Sequence, residues 1–82
     1  MKTAWMQSAG HLFLIERYDD GSYGVVLEDQ FLGFVVRADG SYVAIAAGEG
    51  AVVGDARSLG AAATLLANDS LLVGRAAVAQ AA

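Results

Sequence analysis

Apolar and polar positions fall into two regimes along this chain, with the change near Ser58. Before it, short apolar runs alternate with turn-forming residues; after it, alanine and leucine recur at three- and four-residue spacing. A tetrapeptide repeats within the first regime. Asp20-Gly21-Ser22-Tyr23 returns as Asp39-Gly40-Ser41-Tyr42, each copy after an apolar run ending in Arg17 or Arg37. Aspartate and glycine tolerate the backbone angles of a tight turn, and tyrosine and valine favour extended chain, so two successive β-hairpins are predicted.

The runs predict strands over Leu12-Phe13-Leu14-Ile15, continued by Glu16-Arg17-Tyr18, then Tyr23 to Glu28, Phe31 to Val36, and Tyr42 to Ala46. Asp29-Gln30 is the expected turn between the middle pair. Ala51-Val52-Val53 offers a short optional fifth strand, and Gly48-Glu49-Gly50 a loop before it. Residues 1–10 match no template; Trp5 and Met6 either pack on the sheet or form an edge strand. Nine of the 25 residues from Ser58 onward are alanine, which favours helix there. Asp55 or Ser58 can cap a first helix with Leu59, Ala62, Ala63 and Leu66 on its buried face. Asn68-Asp69-Ser70, also a glycosylation acceptor pattern, reads as a helix boundary, with a second segment from Leu71 weakened by Gly74 and fraying over 76–82. The expectation is one α+β domain over 1–82: an antiparallel four-stranded β-meander followed by one or two C-terminal α-helices packed on the sheet.

A sheet with one wet face alternates apolar and polar residues, and this one does not. Phe13 and Ile15 stand opposite Leu12 and Leu14; Leu32, Phe34 and Val36 stand opposite Phe31 and Val35. One helix covers one face. The other needs the second helix and N-terminal segment, or another subunit.

Composition sharpens this picture. Eighty-two residues make one small core, 56% are apolar and only 17% charged, so a homodimer or other self-association is one outlet for apolar surface. The chain is acidic, with net charge −4, and its basic residues are scattered, which disfavours a nucleic-acid partner without removing it. Absence of cysteine excludes disulfides and thiolate chemistry. No apolar run is long enough to span a bilayer and no export signal is evident, so a cytoplasmic protein without a membrane partner is expected.

Candidate chemistry is sparse, and no catalytic residue, cofactor or metal is assigned. His11 is the only histidine and lacks a spaced ligand set, so a strand-start role is preferred. Asp19, Asp20 and Asp39 gather at turns expected at one end of the sheet; turn formation accounts for them better than a calcium site. Tyr23, Tyr42, Phe13, Phe31 and Phe34 fit packing better than base stacking. Gly48-x-Gly50-x-x-x-Gly54 lacks phosphate-loop spacing.

The element order from Tyr23 to Ala67 resembles small DNA-binding domains such as the arm-type domains of phage integrases. That likeness is of order alone and carries no motif onto particular residues. The expected function is a small non-catalytic interaction or assembly module, self-associating through apolar sheet surface at Leu12, Leu14 and Phe31. The alternative is a nucleic-acid-binding regulatory domain using Arg17, Arg37 and Arg57.

Overall fold

The computed structural model describes residues 2–48 and 50–81, with side chains as far as Ser70. It contains a six-stranded antiparallel sheet in meander order: β1 (Lys2–Ser8), β2 (His11–Arg17), β3 (Tyr23–Leu27), β4 (Gln30–Ala38), β5 (Ser41–Ala46) and β6 (Val52–Ala56). One helix, α1 (Leu59–Ala81), follows and packs on a single face. Six strands and one helix replace the expected four or five strands and one or two helices.

Each difference has a local cause. Residues 1–10 form β1 because Ala9 (φ 50°) and Gly10 (φ 82°) make a two-residue turn with both φ angles positive, the geometry that matches strand twist. The Asp39-Gly40 turn is of the same kind, and so is Glu28-Asp29, one residue earlier than expected. The two Asp-Gly steps differ from each other. At the first, Tyr18 and Ser22 close a longer loop through Asp19, Asp20 and Gly21 (φ 87°). Asp55 belongs to β6, and Ser58 caps the helix: its Oγ accepts from the Ala61 amide at 3.1 Å. The helix passes through Asn68-Asp69-Ser70 without a boundary. Those residues cost a few tenths of a kcal/mol each in a helix interior, roughly 1–2 kcal/mol together, and buried Leu66 and Ala67 anchor the turn before them. The expected fraying over 76–82 concerns side chains outside those described.

The core lies between helix and sheet. Phe13, Ile15, Val25, Leu32, Val35 and Ala44 meet Ala62, Ala63, Leu66 and Ala67, with Met6, Tyr23, Tyr42 and Val53 around them. Fully burying Phe13 and Leu66 contributes about 2–3 kcal/mol each. Small helix residues allow close approach. A Cβ on Gly60 would lie 3.0 Å from Ser8 Oγ, and Ser8 hydrogen-bonds Thr64 across 3.3 Å. On the opposite edge strand, a Cβ on Gly54 would lie 3.3 Å from Leu65. One helix therefore touches both β1 and β6, and the sheet curls around it.

Strict alternation fails in β4. Leu32 and Gly33 are both buried, because the β3–β4 register shifts between Val25 and Val26. The expected faces of β4 are thereby corrected: Leu32 joins Val35 on the helix side, while Phe31, Phe34 and Val36 point away from it. Gly33 has φ 155°, and a Cβ there would collide with the Ile45 carbonyl oxygen. Gly33→Ala is expected to destabilise the domain by about 2–4 kcal/mol through backbone strain and overpacking. Gly21→Ala, with open space around it but φ 87°, should cost about 1–2 kcal/mol. Urea denaturation of both variants checks this order, and equal losses would contradict the steric account.

Candidate interaction surface

Residues opposed in an antiparallel ladder share a face, so the register maps the side turned away from the helix. One row runs Trp5–Leu14–Val26–Phe31 and the next Thr3–Glu16–Gly24–Phe34–Ile45–Val52. Leu12 extends the first row's flank beside Gln7, and Val36 and Val43 extend the second beside Asp55. Trp5, Leu12, Phe31, Phe34, Val36 and Val52 are all exposed, Trp5 by 68%. Glu16 and Asp55 are the only charged residues in these rows.

At the centre the backbone itself is covered. Gly24 is buried, and a Cβ there would run into the Tyr18 hydroxyl, the Glu16 carboxylate and the Phe31 ring. The missing side chain lets Tyr18, Phe31 and Phe34 close over the strand. Phe31 and Phe34 meet edge to face at 5.0 Å, and Tyr18 lies 6.3 Å from Phe34. The Tyr18 hydroxyl donates to Glu16 Oε1 at 2.9 Å. Trp5, Leu12, Leu14 and Val26 line a depression of about 310 Å³ next to this cluster.

The five residues singled out from the sequence divide between the two faces. Leu12, Leu14 and Phe31 lie on the outer surface. Arg17 and Arg37 sit in helix-side rows with Tyr23 and Tyr42, and the Arg37 guanidinium stands 5.7 Å from the Tyr42 ring centroid. Tyr23 and Tyr42 contact each other there at 6.5 Å, and Phe13 is buried. Sequence reasoning missed Trp5, Tyr18 and Phe34 as surface aromatics. The two-residue period from Leu12 through Tyr18 could have placed Tyr18, and alternation with Val35 could have placed Phe34; only the side of Phe31 depended on the bulge.

The turn carboxylates do local work. Asp20 Oδ1 accepts from the Ser22 hydroxyl at 2.6 Å and its amide at 2.9 Å, and these bonds hold the Asp20 carboxyl below its ordinary range. Among the described residues no group of three His, Cys, Asp or Glu side chains could hold a metal ion. His11 opens β2 with its ring 5.7 Å from Phe13. No helix among the described residues is long and apolar enough to cross a membrane, which says nothing of β-barrels. Compared with known families, curated proteins and solved structures, the chain matches none.

Burial, then the hydrogen bond to Glu16 and its negative charge, push the Tyr18 phenol above its ordinary value. Neutral Tyr18 therefore contributes stability that is fully present below the unfolded value of about 10. That contribution is lost as pH rises through the higher folded value. Phenolate absorbance compared with Tyr18→Phe should show the missing transition above the ordinary phenol value, and Glu16→Gln should lower it part of the way. A Tyr18 transition unmoved by Glu16→Gln would refute the carboxylate's role.

Proposed function

We propose that this protein is a small non-catalytic interaction or assembly module that self-associates through the outer face of its sheet. The observation that carries this reading is the apolar surface from Trp5 to Val52, whose rows hold only Glu16 and Asp55 as charged residues, with Glu28 and Asp29 at its rim. Six strands span roughly 24 Å and the paired segments about 20 Å, a patch on the order of 500 Å². The whole face has the size of the largest apolar patches monomers expose, with Thr3, Gln7, Glu16 and Asp55 taking up part of it. Tyr18, Phe31 and Phe34 supply the clustered aromatic side chains that dominate binding energy at interfaces. A second copy suits such a patch because a two-fold contact is self-complementary. The cytoplasm is the proposed setting, since the chain has no cysteine for the disulfides that small exported domains use.

A nucleic-acid reading keeps one observation in its favour. Lys2, Arg17, Arg37 and Arg57 all lie toward the same end of the sheet. The turns holding Asp19, Asp20 and Asp39 share that end, which offsets the positive charge. Absence of salt-sensitive binding to DNA or RNA at low ionic strength would remove this reading.

For the assembly reading, sedimentation at tens of micromolar should show a species larger than one chain. Phe34→Asp should weaken association by at least about 2 kcal/mol, the scale of an interface hot spot, with unchanged circular dichroism. A wild-type monomer at that concentration would sink the proposal.

A further inference from the structure

The two edges of the sheet are built differently. β6 has five residues, a register shift at Ala44/Ile45 and an exposed aspartate, Asp55. Shortness, bulges and charge are devices that discourage further strand pairing. β1 has seven residues, an unbroken register with β2, no proline, and one charge at its very start, Lys2. Its residues from Lys2 to Trp5 are all exposed.

The turn fixes which backbone groups β1 offers. A two-residue turn is closed by a hydrogen bond between its flanking residues, here Ser8 and His11. Antiparallel pairs alternate between bonded and non-bonded, so Met6, Ala4 and Lys2 also bond to β2. Thr3, Trp5 and Gln7 then direct their N–H and C=O groups to the free edge.

We propose that β1 is a docking edge for a second copy of this chain, added antiparallel about a two-fold axis through Trp5. The strand is complementary to itself in that register. Trp5 meets its symmetry mate, and Thr3 meets Gln7 of the other copy. These are the residues with free backbone groups, and together they supply about six inter-chain hydrogen bonds. On the other face Ala4 meets Met6 and Lys2 meets Ser8, so no like charges oppose. This contact goes beyond the outer-face reading and is independent of it, because an edge pair still presents two outer faces.

Trp5 is the only tryptophan and belongs to both the edge and the outer face, so its emission reports association at either one. As concentration rises, wild-type emission should move to shorter wavelength in step with sedimentation. Thr3→Lys with Gln7→Lys places lysines opposite each other across the axis and should weaken the edge contact at least tenfold. Thr3→Lys with Gln7→Glu, differing by one residue, should restore it to within a few-fold of wild type. Both positions are exposed, and circular dichroism verifies folding. Equal association of the two double variants overturns the proposal. Phe34→Asp separates the two contacts. If Trp5 still responds to concentration in that variant, the edge contact stands; if association and the Trp5 response are both lost, it falls and the outer-face reading survives. A wild-type monomer with constant emission removes both.

Discussion

Gly33 turns its backbone toward the Ile45 carbonyl oxygen only because it lacks a Cβ, and the outward face of the sheet follows from that contact. The bulge places Leu32 and Gly33 both inward. Val35 then fills the core, while Phe31, Phe34 and Val36 turn to the outside. Without the extra residue, strict alternation would put Phe31 on the same side as Val35 and move Leu32 to join Phe34. The aromatic cluster over Gly24 would lose Phe31, one of its three rings. The apolar surface thus rests on a backbone device rather than on composition alone.

Much of the fold was legible because β2 to β5 combine branched or aromatic runs with turn-forming punctuation. β1 was not, since Ala4, Gln7 and Ser8 carry no strong strand preference and its turn uses Ala9 at a positive φ. β6 was read only as an optional short strand, because Gly54 and Asp55 resemble a loop. The boundary expected at Asn68-Asp69-Ser70 failed for an energetic reason: helix penalties of a few tenths of a kcal/mol cannot stop a helix whose preceding turn is packed. The apolar character of both sheet faces was visible in β2, where Leu12 and Leu14 alternate with Phe13 and Ile15. Arg17 and Arg37 lie on the helix side, apart from Leu12, Leu14 and Phe31: the two-residue period already separates Arg17 from Leu12 and Leu14 in β2, and the bulge separates Arg37 from Phe31 in β4.

Curvature links the covered face to the bare one. A helix is about 10 Å wide and the sheet roughly 24 Å, so a flat sheet would leave much of its inner face unprotected. Alanines at 62, 63 and 67 bring the helix close but add little width. The sheet answers by curling until both β1 and β6 reach the helix, through Ser8 and Thr64 on one side and Gly54 and Leu65 on the other. Bulges increase local twist and bend, and the two register shifts fall in the β3–β4 and β5–β6 ladders, on either side of the β4–β5 pair. The same two shifts that wrap the sheet around a slender helix also bring Phe31 and Val52 onto its outward face. Closing the small core and exposing the apolar face are therefore one structural event, and a substitution that flattened the sheet would weaken both together.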